Sequence, residues 1–416
     1  TYTLSVEQST RPTPGQPDKK PLHIPLTVGL VGSDGNDLPL TLEGENTGPT
    51  SRVLNVQDSS QTFVFTGVDE KPVHSVLRGF SAPVTLDHGL SGEESAFLMG
   101  HDSDPFNRWE AGQQLATDMM LKLISDHQAG HELVLDENFA TAYGQLLRDE
   151  EADKAFIALA MGLPTPSFLA QKMDEVDMDA IGAVHLFVRE ALAARFRDDL
   201  LRLYRANHID EPYAFNAEAA GRRSLKNAAL GLLMRLGDRE AVELCAAQFH
   251  EADNMTEEQA ALAFLVNSDA DERLAAIEAF EQKWKSDALV MDKWFMVQAT
   301  SEREDALERV RELMGHPAFS LRNPNKVRAV IGAFTQGNPL RFHAADGSGY
   351  ELLADVVLQL DAMNPQIAAR LMGAFEQWTR FAQPRKGLMQ KAVERVLETE
   401  KISRDVYEIA SKTLKA

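Results

Sequence analysis

The feature that most constrains this chain is a change of hydrophobic period near Ser91. From Thr1 to about Leu90 apolar residues alternate with a period of two: Tyr2, Leu4 and Val6; then Leu22, Ile24, Leu26, Val28 and Leu30; then Phe63 and Phe65. Beyond Ser91 they recur with a period of about 3.6 to the C-terminus, in a background rich in Ala, Leu, Glu, Arg and Met. The first period sends successive side chains to opposite faces of a strand, and the second lines one face of a helix, so the two regions cannot share an architecture. The expected organisation is therefore a multidomain all-β plus all-α chain, with domain boundaries at 1–91 and 92–416.

Turn residues divide the first region at Pro12 to Pro17, Gly32 to Asn36, Gly44 to Pro49, and Gly67. About seven short strand segments between such turns predict an immunoglobulin-like β-sandwich. Gly29-Leu30-Val31-Gly32 lacks the Gly-x-Gly-x-x-Gly spacing of a phosphate cradle and runs into a turn, which predicts a hairpin. In the second region, amphipathic stretches such as Asp179 to Asn207, Glu218 to Arg235 and Ala270 to Lys285 are joined by short Gly, Pro, Asn or Asp punctuation. One internal echo sharpens this. Asn323-Pro324-Asn325-Lys326 through Gly332-Ala333-Phe334 returns 41 residues later as Asn364-Pro365-Gln366-Ile367 through Gly373-Ala374-Phe375. That spacing predicts a large helical solenoid of the HEAT/armadillo kind, with each Asn capping a helix and each Pro at its first position.

Charge and composition remove several classes of function. Forty-two Lys and Arg against sixty-three Asp and Glu give a net charge of −21, which argues against nucleic acid as a partner. Charged residues and glycine break the longest apolar run, Leu225 to Leu236, well short of a membrane span. The single cysteine, Cys245, sits in an apolar helical run and is expected to be buried and inert; this cysteine usage fits a reducing compartment, the cytoplasm. Thr1 begins directly in a strand-like pattern without an initiator Met, so the expectation is a chain that starts in mid-protein.

No self-contained active site is legible. His131-Glu132-Leu133-Val134-Leu135 begins like a zinc-binding helix but has Leu where the second His is needed. Ser91, the nearest approach to a nucleophile elbow, reads instead as a helix cap with Glu94 completing a capping box. Asp346-Gly347-Ser348-Gly349-Tyr350 reads as a turn into a helix, and Val290 to Val297 as a core helix. Acidic pairs such as Asp149-Glu150 and Asp198-Asp199 read as solvated faces. Arg328 and Arg370 stand out because each lies within two turns of a capped helix start, on the flank of its apolar stripe. The residues alone leave two roles open for them: surface ion pairs, or a shared groove that accepts a carboxylate.

The strings Gln61-Thr62-Phe63-Val64-Phe65, Gln248-Phe249-His250-Glu251-Ala252-Asp253-Asn254-Met255-Thr256, Met291-Asp292-Lys293-Trp294-Phe295, the first Asn-Pro segment and Asp346 to Tyr350 resemble the C-terminal half of the bacterial aminopeptidase N family, alanyl aminopeptidases among the gluzincin zinc metallopeptidases. The resemblance implies a β-sandwich domain and a helical cap domain from an enzyme whose zinc-bearing catalytic domain lies elsewhere. It implies no cofactor and no catalytic or metal residue in this chain, and zinc in the parent enzyme. It further implies that the cap closes a chamber and restricts entry of peptides. Arg328, Arg370 and Gln366 would then contact the carboxyl-terminal side of the substrate. The implied partners are the catalytic portion of the same protein and peptide substrates, with neither nucleic acid nor membrane among them. The alternative is a free-standing helical solenoid that binds a protein or peptide on its concave face.

Overall fold

A computed structural model describes every residue except Thr47 and Ala416. The turn expected at Gly44 to Pro49 contains the first of these and the expected second domain ends on the second, so both expectations run beyond the described residues there. The chain forms two compact units: Thr1–Met119 with Val134–Leu163, and Met120–Leu133 with Pro164–Ala416.

In the first unit the described residues form six strands: β1 (Tyr2–Glu7), β2 (Ile24–Val31), β3 (Thr41–Leu42), β4 (Ser51–Val56), β5 (Ser60–Thr66) and β6 (Val73–Val76). They make two antiparallel sheets of three, ordered β1-β5-β3 and β4-β2-β6. In the first, Tyr2 lies opposite Phe65 and Leu4 opposite Phe63; in the second, Leu26 lies opposite Leu54 and Val28 opposite Val76. Leu4, Leu26, Val28, Leu30, Leu54 and Phe65 bury one face of each sheet in a common core. The described residues thus show six strands where about seven segments were expected, and beyond β6 the stretch Ser81 to Leu90 is irregular. Leu22, expected to start β2, is exposed; its backbone N–H and carbonyl are both taken by the Gln8 amide, at 2.8 Å each.

Gly29 owes its identity to a buried charge rather than to a phosphate. After β2 the chain turns tightly, with Gly32 N–H donating to the Asn36 carbonyl at 2.8 Å and Gly35 at φ 84°, but the returning segment makes one antiparallel bridge, Val31 to Asp37, before β3 joins the other sheet, so the expected hairpin is only a stub. The Arg78 guanidinium, 5% exposed, lies across β2 and donates to both Asp37 carboxylate oxygens at 2.9 and 2.7 Å, to Ser75 Oγ at 2.7 Å and to Asp102 Oδ1 at 2.9 Å. A Cβ at Gly29 would fall inside that guanidinium. Asp102 closes the helix Gly92–His101, so this one arginine joins sandwich strands to the first helix. That helix starts as expected: Ser91 accepts from Glu94 N–H, and the Glu94 carboxylate reaches back to Ser91 N–H at 3.0 Å.

The second unit is helical, and its helix starts follow from capping chemistry. Asp177, Asn216, Asp238, Asn254, Asp287 and Ser403 each accept a hydrogen bond from a first-turn N–H. The expected stretches resolve into Met178–Arg195 and Arg197–Ala206, Ala217–Leu233, and Glu272–Trp284. Arg239–Glu251, Met255–Val266, Glu272–Trp284, Ala288–Ala299 and Ala306–Met314 follow one another, each packed on the next, as a stacked array requires. Met291, Trp294, Phe295 and Val297 are buried, which makes Val290 to Val297 a core helix. Among the described residues no helix is long and apolar enough to cross a membrane.

The turns of this array converge on Glu302. Its carboxylate accepts two hydrogen bonds from Arg189 at 3.0 Å and one from Arg235 at 2.9 Å. Its backbone N–H donates to Asn267 Oδ1 at 2.8 Å, and its carbonyl accepts from Arg341 Nε at 2.6 Å. Burial alone would raise the pKa of this carboxyl, but the hydrogen bonds and charge of Arg189 and then Arg235 outweigh it and hold it at about 2.

Two predictions follow from these contacts. Gly29→Ala should destabilise the first unit by roughly 1–3 kcal/mol through overpacking against Arg78; an unchanged denaturant midpoint for the sandwich would refute the packing argument. Glu302→Gln should cost on the order of 1 kcal/mol at neutral pH, because two guanidiniums lose their counter-charge at a side chain that is 36% exposed and partly screened by solvent. Because the folded pKa is depressed, the stability Glu302 contributes is present above the unfolded value near 4.3 and is lost as pH falls toward about 2. Thermal melts between pH 6 and 2 should therefore fall less steeply for Glu302→Gln than for the parent chain.

Candidate functional site

The two Asn-Pro segments are built alike at their starts. The Asn323 side chain accepts from Asn325 N–H at 3.0 Å and that of Asn364 from Ile367 N–H at 3.3 Å, with Pro324 and Pro365 at the first helical positions. Their continuations differ. After Pro324–Val327, residues Arg328–Gly332 form a wide π turn before the α-helix resumes at Ala333–Gly337. The second segment runs as an α-helix over Pro365–Met372 and then tightens to a 3₁₀ turn, Gly373–Phe375.

The π turn changes the face that a regular helix of 100° per residue would present. Val327, Val330, Ile331 and Phe334 are all buried with no exposure, and Arg328 between them is exposed. Its Nη2 donates to the Asn325 side-chain oxygen. In the second segment Leu371 and Phe375 are buried while Ile367 is only partly so, and Gln366 and Arg370 are exposed. Among the described residues neither Arg328 nor Arg370 has a carboxylate within ion-pair distance, and Arg328 has Asn325 as its one side-chain partner. Four cavities, of about 220, 600, 660 and 470 Å³, are lined by other residues, so Arg328, Gln366 and Arg370 stand on open helix faces and not in these pockets.

The segments the sequence singled out elsewhere have structural duties. Cys245 is fully buried, its Sγ 3.4 Å from the Ala261 carbonyl, and burial pushes the thiol up to about 12. His131 is exposed in a loop beside Asp126. Gln248 is buried and donates to Asn227 at 2.8 Å and to the Glu257 carbonyl at 3.2 Å, while Asn254 caps the helix Met255–Val266 by accepting from Glu257 N–H. Asp292 pairs with Lys326 at 2.7 Å, a contact between two of the strings that carried the resemblance. Among the described residues no three His, Cys, Asp or Glu side chains come together to hold a metal ion, so the donor set present here does not fit a zinc site.

Comparison with known proteins places the chain. Residues 92–415 match a family model described as a domain of unknown function (DUF3458_C) with ARM repeats, and residues 1–89 match one described as a domain of unknown function (DUF3458) with an Ig-like fold. The chain belongs to the DUF3458 family. This DUF3458 chain is 39% identical over 413 residues to Aminopeptidase N of Escherichia coli (strain K12), covering 99% of this chain and 47% of that protein. Against Aminopeptidase N of Haemophilus influenzae the identity is 36% over 416 residues, covering 100% and 47%. A solved structure of Legionella pneumophila aminopeptidase A in complex with aspartic acid superposes with a TM-score of 0.83 at 30% identity, covering 100% of this chain and 47% of that one. The DUF3458 chain thus spans about half the length of the relatives it matches. These matches bear out the resemblance to aminopeptidase N and the fold class, an Ig-like domain followed by a helical ARM-repeat domain.

Sequence reasoning passed over Asn325 and Lys326, although a signal for Asn325 was present: it stands two residues after its capping Asn, as Gln366 does 41 residues later. The thiol yields a direct check. With its pKa raised and no exposure, Cys245 should resist a thiol reagent such as iodoacetamide in the folded chain and react fully in denaturant; rapid labelling under native conditions would contradict the burial described above.

Proposed function

We propose that this chain is the noncatalytic C-terminal portion of a zinc-dependent aminopeptidase that removes N-terminal amino acids from peptides. The observation that carries the reading is the extent of the match: similarity to aminopeptidase N runs over 99–100% of this chain but 47% of those relatives. In this reading the other portion would hold the zinc, which when bound would supply an activated water for peptide hydrolysis. This chain closes the chamber, restricts access to it, and contacts the distal end of the peptide. Its partners are the catalytic portion of the same protein and peptide substrates. We place the enzyme in the cytoplasm, where a lone buried thiol meets no oxidising machinery.

Arg328 and Arg370 suit the distal contact because each carries a guanidinium on an exposed face with no carboxylate partner among the described residues, and Gln366 adds an amide on the same helix face region as Arg370. A guanidinium in that state accepts a carboxylate without first breaking an ion pair. The π turn at Arg328 supports the reading further, since such turns are uncommon in helices and recur where a side chain is aimed at a ligand.

An interaction confined to the far end of the substrate acts only on substrates that have a far end. In the full-length enzyme, Arg328→Ala or Arg370→Ala should therefore weaken binding of tri- and tetrapeptides by roughly 1–3 kcal/mol and leave an aminoacyl arylamide nearly unaffected. Equal losses on both substrates would count against the assignment. The isolated chain should release no arylamine from the same substrate; turnover that survives purification and chelator controls would sink the proposal.

A further inference from the structure

Two strings remain without a functional role: Met291-Asp292-Lys293-Trp294-Phe295, and the Asn325-Lys326 dipeptide that precedes Arg328. The structure brings them together. Lys326 is 5% exposed; its ammonium donates to the Ala288 carbonyl at 2.8 Å, lies 2.7 Å from Asp292 Oδ1 as an ion contact outside hydrogen-bond geometry, and sits 5.3 Å from the centroid of the Phe295 ring. All three contacts come from one helix, Ala288–Ala299. They clamp the short first turn Pro324–Val327 at the point where the π turn begins.

We propose that Lys326 is a positioning residue for Arg328. This rests on the reading of Arg328 as a distal peptide contact. A buried ion pair is a poor device for stability, since apolar residues of the same volume usually do as well or better. It is a good device for register, because an ammonium with a carboxylate and a carbonyl to satisfy accepts few placements. Here the register matters. The π turn inserts an extra residue into the helix, and whether that turn starts at Arg328 or one residue away decides which side chain faces outward. Lys326 fixes the start, Val327, Val330 and Ile331 fill the core behind it, and Arg328 is left on the open face. Asn325, exposed beside it, then receives the Arg328 guanidinium on its side-chain oxygen and limits the directions it can point. The 41-residue echo places Gln366 at the position of Asn325 but puts Ile367 where Lys326 stands, and the second segment forms no π turn.

The test uses the full-length enzyme with a tetrapeptide and an aminoacyl arylamide as paired substrates, and a thermal melt for each variant. The double variant Lys326→Met with Asp292→Leu removes both charges together, so no buried ion is left alone. It should raise the tetrapeptide KM about tenfold, toward the value of Arg328→Ala, with arylamide kcat/KM and Tm little changed. On an Arg328→Ala background it should add nothing further, because both changes remove the same contact. Asn325→Ala should produce a smaller rise of the same selective kind. An unchanged tetrapeptide KM in the double variant, with Arg328→Ala still selective, would overturn the positioning role while leaving the distal contact intact. Equal losses on both substrates with a lowered Tm would overturn it in favour of a purely structural pair. If Arg328→Ala itself shows no selectivity, the distal contact fails and the positioning role fails with it. Should the double variant not fold, Lys326→Arg decides: a selective rise in tetrapeptide KM supports positioning, and an unchanged KM overturns it.

Discussion

A helical array buries its apolar faces only by stacking, and stacking alone leaves the twist between successive units soft, because each unit touches little beyond its neighbours. Glu302, through its carboxylate and its backbone, is where this chain removes that freedom. Arg189 reaches it from the helix Met178–Arg195, Arg235 from the turn after Ala217–Leu233, Asn267 from the end of Met255–Val266, and Arg341 from a turn further along. The partners lie between 35 and 113 residues away in sequence. Hydrogen bonds to side chain and backbone together fix position as well as orientation, which a single ion pair does not do. The low pKa of Glu302 is the electrostatic expression of the same arrangement: two guanidiniums favour its charged form by more than burial disfavours it.

The sandwich uses a comparable device. Arg78 links Asp37, Ser75 and Asp102, and so ties the chain after β2, the β6 strand and the end of the first helix to one guanidinium. Five N–H donors in a rigid plane can serve several acceptors at once, which suits arginine and not lysine to such a junction. The requirement then propagates backward into the sequence: β2 needs a residue without a side chain where the guanidinium crosses, and Gly29 supplies it.

What could be read from the sequence divides along the range of the interactions. The change of period at Ser91, the capping box of Ser91 and Glu94, the Asn-Pro helix starts and the burial of Trp294 and Phe295 are all local, set by residues within a turn or two of one another. They were legible for that reason. Leu22 was misplaced because its alternation with Ile24 is genuine, but a glutamine fourteen residues earlier captured its backbone. Turn spacing predicts about seven segments where the described residues form six strands, because it counts segments and does not register which of them pair. Glu302 carried no signal in a chain with sixty-three acids, since its importance lies wholly in partners brought from afar. The π turn was invisible because a wheel at 100° per residue assumes that it is absent.

The same abundance of acids gives weight to the residues that avoid them. In a chain carrying −21, an arginine on the surface has many carboxylates within reach, and Arg52, Arg108, Arg197, Arg239, Arg303 and Arg395 each hold one. Arg328 is instead tied to the neutral oxygen of Asn325, and Arg370 sits on a helix face with neither Asp nor Glu among its ion-pair neighbours in the described residues. An amide orients a guanidinium without neutralising it. An arginine held that way keeps its full charge available to an incoming carboxylate, whereas one already paired would have to exchange partners at nearly equal energy and so contribute little to binding. Exposed Arg11, Arg311, Arg322 and Arg404 also lack a carboxylate within ion-pair distance among the described residues, so what sets Arg328 apart is the Asn325 amide that orients its free charge, and not the absence of an acid.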